Sequence, residues 1–507
     1  MLKKLLRRSY RNKKVNSEKS SEEEIKLNES NINSNLNKTV DSFKTIYSYP
    51  DNQDVVLRNI HISGSNKKAA ILFINTITNA KSIEDYVISP LLQNQDSSKQ
   101  IDEIITVQSL QTKNKISEIV THINNGNAAL FVEGENKAYL LGATNFEGRN
   151  VEKAENENVV KGSKEAFNEK SATNISLIRK RIKSESLVVE SLIISKRSKN
   201  DLFIVYEKDL VNDKLLQNVK DRVNALDVDA IQNLSLLEQQ IEERKYSIFP
   251  TILYTERPDR AASFIEDGYI VLLMDNSPDS LVLPATFWSF YHTSEDHYLR
   301  FPYGNFTRFL RILALFISLF TSSLYVAVVT FHAEMVPPDL LLAIAATREK
   351  VPFPAAIEVF IMEIAFELIR EAGLRVPSPI GPTIGIVGAL ILGQAAVQAN
   401  IVSPIVVIIV ALGGLSSFAI GDISMNFTVR IGRLLLLFAA SFMGLYGITA
   451  LFTMAIFYMV SIKSFGVPYL SPLTPNYKSS KDTIFRRVLQ KETFRPGYLK
   501  PKDMTKR

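Results

Sequence analysis

FPAAIEVFIMEIAFELIREAG, residues 353–373, lies in the most apolar part of the chain and yet carries Glu358, Glu363, Glu367, Arg370 and Glu371. An ionisable side chain placed at the centre of a bilayer costs about 2.5–3.5 kcal/mol on insertion scales. Whether this segment crosses a membrane, lies on one, or lines a wet space inside one therefore decides the architecture. At about 100° per residue, Glu363, Glu367, Arg370 and Glu371 share one arc of a helix, and Ile357, Val359, Ile361, Ile364 and Leu368 cover most of the rest. Glu358 follows Pro352 and Pro354, in a first turn where a helix dipole favours a negative charge. The segment predicts an amphipathic or re-entrant helix. Two readings of its carboxylates stay open: solvation at a membrane surface, or a water-filled cation path in which Glu363, Glu367 and Glu371 line a vestibule.

Around it, apolar runs at 312–332, 383–398, 401–420 and 434–462 predict four transmembrane helices. They follow a collar of aromatics that starts at Phe287, includes the single Trp, Trp288, and is placed at the interface over 291–311. From Lys463 onward the chain has eleven Lys/Arg against three Asp/Glu. By the positive-inside tendency, 463–507 is expected to be a basic cytosolic tail. The start, MLKKLLRRSYRNKK, has no apolar core or cleavage site, so the N-terminal region is expected inside as well. Both ends inside require an even number of crossings, and removing 353–373 from the crossings leaves four.

Before residue 290 the pattern is α/β. Residues 1–40 are poor in bulky apolar residues and predict a disordered basic tail. ILFINTI (71–77) and DEIITVQ (102–108) read as strands, and KISEIVTHI (115–123) as a helix. Later, LVVESLIIS (187–195), DLFIVYE (201–207) and TILYT (251–255) read as strands, with helices over 211–225, 235–244 and 257–268. Two endings align: INNGNAALFVEGENKAYLLGA (123–143) and IEDGYIVLLMDNSPDSLVLPA (265–285), each a helix, a glycine and an apolar hairpin. They imply two tandem cytosolic α/β subdomains, 41–165 and 175–290. The fold class is thus α/β plus membrane α-helical.

Gly381, Gly385 and Gly388 give the third apolar segment a small-residue face suited to close helix packing. Gln394 and Gln398, one turn apart, either bond to a neighbouring helix or line a pore. His292 and His297 flank Glu295-Asp296, but an i,i+5 spacing does not put both on one helical face and no further ligand is evident, so no metal site is expected. The chain has no Cys and hence no thiol chemistry. There is no phosphate-cradling loop and no Ser/His/Asp arrangement, so the sequence predicts no enzyme, no cofactor and no nucleic-acid partner.

TERPDRAASFIEDG (255–268), VLPATFWSF (282–290), the quoted 353–373 segment, RVPSPIGPTIGIVGALILGQAAVQANIVSP (375–404) and SFGVPYLSP (464–472) resemble the A subunit of GerA-type spore germinant receptors. The resemblance runs from about 185 to 475. It departs at Asn400 and in MNFTVRIGR (425–433), which are more polar than the family pattern. It implies a multi-pass protein of the inner spore membrane that acts with a permease-like B subunit and a C lipoprotein. It also implies a homo-oligomer forming a germinant-gated cation channel, with a non-conducting scaffold or a solute transporter as alternatives.

Overall fold

The computed structural model describes residues 30–146, 154, 157, 159–375, 381–479 and 482–506. Order begins earlier than expected. Of the predicted tail, residues 1–29 lie outside the described residues, but Ile32 is buried and helix α1 (Leu36–Ile46) is capped by Asn35, whose side chain accepts from the Lys38 amide. The apolar i, i+4, i+7 positions Leu36, Val40 and Phe43 bury one face.

The first unit runs α1, β1 (Val55–Ile62), β2 (Lys67–Ile74), β3 (Leu110–Lys113), α2 (Ile116–Asn124), β4 (Ala128–Val132) and β5 (Ala138–Leu141). Its sheet has the order β1-β2-β4-β5-β3 with every pair antiparallel. The expected strand at 102–108 is not one. Ile101–Ile104 forms a helical turn, capped by Gln100 and Glu103, that buries Ile101 and Ile104, and the strand starts at Leu110.

A second unit repeats the plan with α3 (Ser171–Arg181), β6 (Leu187–Ile194), β7 (Asn200–Glu207), α4 (Asp213–Asn224), α5 (Leu234–Ile241), β8 (Leu253–Thr255), α6 (Pro258–Glu266), β9 (Ile270–Met274) and β10 (Ser280–Leu283). Its sheet order is β6-β7-β9-β10-β8, again antiparallel throughout. Strand for strand this is the first sheet, and in both units helical segments separate the second and third strands: between Ala80 and Gln93 and at Ile101–Ile104 in the first, α4 and α5 in the second. The two aligned glycines fall at the ends of equivalent helices α2 and α6, with φ of 90° at Gly126 and 91° at Gly268. At Gly126 a side chain would also strike the Ile77 carbonyl.

Beyond the second unit, the collar does not stay a separate element. Phe287, Trp288, Phe290 and Tyr291 form a short helix, α7 (Phe287–Tyr291), in which the last three of these are buried. Phe301, Tyr303, Phe306 and Phe309 instead lie exposed on the first turns of α8 (Phe301–Phe331). After α8 come α9 (Pro338–Arg348), α10 (Ala355–Arg375), α11 (Gly381–Gln398), α12 (Pro404–Ser417) and α13 (Ile423–Ser461). Among the described residues, two helices are long and apolar enough to cross a membrane, α8 and α13. Four such spans were expected. The 401–420 segment is shortened to the 14 residues of α12, about 21 Å of helix against a hydrocarbon core of about 30 Å.

The run expected as a single span at 434–462 is broken. Gly444 has φ 57° and ψ −136° inside α13. The two arms fold back on one another: a Cβ on Gly447 would collide with the carbonyl of Ala439. Both outer ends reach one loop of the second unit, where the Thr428 hydroxyl donates to Ile248 O and Arg244 donates to Ser461 O at 3.1 Å. At Gly444 a side chain would meet Phe331 Cβ at 2.9 Å and His332 Nε2 at 3.0 Å, so the turn is packed against the far end of α8.

The expected basic tail is folded onto the second unit. Tyr469 and Leu499 are buried, the Lys502 amide donates to Leu210 O at 2.9 Å, and Arg495 Nε donates to Glu266 O at 2.9 Å.

Candidate functional site: a buried charge network among the apolar helices

The 353–373 segment forms α10, and of the two readings left open for its carboxylates its orientation opposes the surface-lying one. Glu358 and Glu363 are fully buried, while Ile357, Ile361, Ile364 and Leu368 are 38–65% exposed. The apolar face looks outward and the charged face looks into the helix cluster. The expectation of solvated carboxylates is therefore corrected for Glu358 and Glu363, and the reason is the arginines that meet this face.

Those arginines come from RIGR (430–433) on the first arm of α13, an i,i+3 pair that shares one helix face. Arg433 Nη2 stands 3.0 Å from Glu363 Oε2 and 3.0 Å from Glu367 Oε1. Arg430 grips Glu367 with both ends of its guanidinium, Nε to Oε1 at 3.1 Å and Nη2 to Oε2. Ser322 of α8 donates to Glu363 Oε1 at 2.5 Å. Arg370 turns away to α12, donating to Ser417 Oγ at 3.0 Å and Gly414 O at 3.3 Å. A second polar layer lies toward the other end of α10. There Glu358 accepts from Arg348 Nε at 3.1 Å and from the Ser403 amide at 3.0 Å. About 14 Å of helix separates Glu358 from Glu367.

Apolar contacts fix the frame between these layers. Tyr325, Val326, Val359, Met362, Val406, Val410 and Leu437 form one cluster contributed by α8, α10, α12 and α13. The network itself is incompletely bonded: Arg433 Nε and Nη1 are buried without a hydrogen-bond partner, and Glu363 Oε2 meets Arg433 Nη2 as an ion pair without hydrogen-bond alignment. In a low-dielectric interior such groups retain the cost of desolvation.

The other expected site residues are dispersed. Glu371 is exposed at the end of α10. Gln394 and Gln398 are exposed on α11 and are not brought to the Glu363 cluster. A Cβ added to Gly388 would lie 4.0 Å from Ile369 Cγ2 across the α10–α11 packing, and the packing roles expected of Gly381 and Gly385 fall outside the described side chains. The arginines that complete the site were missed. The signal was present as two arginines three apart between apolar runs, in the stretch read only as a polar departure.

Residues 41–498 match the family of Bacillus/Clostridium GerA spore germination proteins. The chain is 36% identical over 458 residues to spore germination protein KA of Bacillus subtilis (strain 168), covering 89% of this chain and 84% of that protein. It is 34% identical over 464 residues to spore germination protein B1 of the same organism, covering 90% and 95%. The uncharacterized membrane protein YfkQ of Bacillus subtilis (strain 168) is 36% identical over 452 residues, covering 88% of each chain. The N-terminal domain of the A subunit of the Bacillus megaterium spore germinant receptor GerK3 is similar at 26% identity and a TM-score of 0.41, over 51% of this chain and 98% of that one. With its family match extending over most of its length, the chain belongs to the GerA spore germination protein family.

Proposed function

We propose that the chain is the A subunit of a nutrient germinant receptor in the inner spore membrane, and that its helices form a cation path held shut by the Glu363/Glu367–Arg430/Arg433 network. One observation carries the reading: a set of carboxylates and guanidiniums buried on helices whose neighbouring outward residues, Ile361, Ile364 and Leu368 on α10 and Ile431 and Leu435 on α13, are apolar. Intramembrane ionisable groups of this kind mark ion pathways and switches more often than structural pairs. Incompletely bonded charges also give a closed state only a modest advantage over a wetted one.

The directions of the helices support a membrane path. Contacts at Ser322–Glu363 and Tyr325–Val359 make α10 antiparallel to α8. Arg370–Ser417 and Glu358–Ser403 then make α12 parallel to α10. With α11 returning between them and α13 doubled at Gly444, six arms alternate away from and back toward the α/β units. An even number of passes keeps both ends of the chain on one side with α10 inside the membrane. Short α12 has polar partners at both its ends, Glu358 at one and Asn426 at the other.

A B permease-like subunit and a C lipoprotein are the partners this reading implies, and the exposed apolar belt of α8, α10 and α13 is the surface for lipid, B, or further copies of the chain. The scaffold alternative predicts no conduction. Spores carrying Arg433→Gln test the two. The channel reading expects monovalent cation release without germinant while the subunit remains at wild-type level. Unchanged germinant-triggered release at that level would remove the network from the mechanism.

A further inference from the structure

At the junction where α8 leaves the second α/β unit, the C-terminal segment lies across the helix entrance. His292 Nε2 meets Thr483 O at 2.6 Å, the Arg486 amide donates to Asn305 Oδ1 at 2.9 Å, and Arg486 Nη2 donates to Leu299 O at 2.7 Å. This strap brings Asp482 and Glu492 to His297, which sits in the turn before α8. One ligand atom from each of the three lies within 4.8 Å of the others, and His297 Nε2 stands 3.4 Å from Asp482 Oδ2. The sequence could not show this, since the carboxylates lie more than 180 residues downstream of the histidine.

We propose that His297, Asp482 and Glu492 form a binding site for a first-row divalent cation that ties the C-terminal strap to the base of α8. One imidazole nitrogen and two carboxylate oxygens suit ions such as Zn²⁺, Co²⁺ or Mn²⁺, with water completing the shell. Asp482 is held in place by Arg308, which takes Oδ1 closely and reaches Oδ2 only at 3.4 Å, the oxygen that also faces His297.

Two unpartnered polar atoms, one in the cluster and one outside it, point to an occupant. Glu492 Oε1 is buried without a hydrogen-bond partner. So is Nε1 of Trp288, a side chain 8% exposed that lines the same cavity of about 480 Å³ as His297, Asp482 and Glu492. A hydrated cation would supply an acceptor to the indole through its water and a positive charge to the glutamate. His297 and Asp482 are only partly buried, so an ion can reach the site from solvent.

The test uses tag-free, full-length protein in detergent, stripped of metal and titrated with Co²⁺. The expected result is saturable visible d–d absorption with quenching of the single tryptophan. Glu492→Gln and His297→Asn should each weaken Co²⁺ binding at least tenfold, and both variants should keep the elution volume of the wild type. Absence of saturable bands in the wild type, or undiminished binding in both variants, would overturn the proposal. Should His297→Asn fail to fold, Glu492→Gln alone decides, because its amide is isosteric and lies on the strap.

Discussion

Arg179 Nε lies 2.5 Å from Asp54 Oδ2 across the seam between the two α/β units, with the side chains only 3% and 2% exposed. The aspartate also accepts from the amide and hydroxyl of Thr76, at 3.0 and 2.9 Å, and the neighbouring Asn52 bonds to both Leu187 O and the Val189 amide. The repeat units are thus joined by polar groups that have no water to fall back on.

Removing one partner of such a pair strands a buried charge, at a cost of about 3–5 kcal/mol. Arg179→Ala is expected to lower the unfolding midpoint sharply. Asp54→Asn combined with Arg179→Met leaves no charge behind and should recover much of the loss. Thermal unfolding followed by circular dichroism reads both, and a midpoint for Arg179→Ala equal to wild type would show that the pair contributes nothing.

Glu207 gives the pH dependence a sign. It is buried at the end of β7, and burial, reinforced by the charge of Asp209, pushes its carboxyl up to about 8. The folded state therefore holds a proton that the unfolded chain releases near its ordinary value. The stabilisation is complete below that ordinary value and is lost as pH rises toward 8. Glu207→Gln should be neutral at pH 4 and stabilising by a few kcal/mol at pH 8. Equal effects at the two pH values would remove this group from the pH response.

The doubling of α13 predicts labelling from both sides of a membrane. The chain has no Cys, so single introduced cysteines report cleanly. Met443→Cys, at an exposed position beside the turn, is expected to react only from the side opposite the α/β units, and Ser461→Cys only from their side. A straight helix would place residue 443 in hydrocarbon, and a Met443→Cys that no impermeant reagent reaches would favour it.

Gly444→Val should abolish accumulation of the protein, since a β-branched residue resists φ of 57° and has no space beside Phe331. Immunoblots of membrane fractions check this. Wild-type levels would mean that the reversal is not needed for folding.

Exchanging the partners Glu367→Arg and Arg430→Glu should restore only part of the function that either single change destroys, because it rebuilds the bidentate fork but leaves Arg433 facing a guanidinium at position 367. Germination rate and subunit level are the readouts. A double variant as defective as the single ones would show that the surroundings, rather than the pair, set the requirement.

The sequence carried local information well. Apolar runs flanking polar turns placed β6, β7, β9 and β10, and the glycines at 126 and 268 marked equivalent helix ends, because these patterns depend on neighbours within one turn or one hairpin. DEIITVQ misled because Ile104 and Ile105 satisfy a strand pattern, whereas Gln100 and Glu103 cap a helical turn there. The polar arc of α10 was legible, but its direction was not. What a carboxylate faces is decided by an arginine some 60 residues away, and no periodicity within α10 encodes that. The Gly444 reversal was equally hidden, since one glycine among apolar residues reads as packing until the chain on either side is seen to meet the same loop.

That loop, residues 244–249, holds both roots of the α13 hairpin, through Arg244 at Ser461 and Ile248 at Thr428. A tongue clamped at both roots tilts as one piece. Arg430 and Arg433 ride on the arm nearest Thr428, less than one and a half turns from the clamp. A shift of the second α/β unit of a few tenths of an ångström would therefore reach the carboxylates of α10 almost undiluted, while the tip beside Phe331 swept a wider arc. The α/β half of the molecule holds the short end of a lever, and the ion pairs ride on that same end.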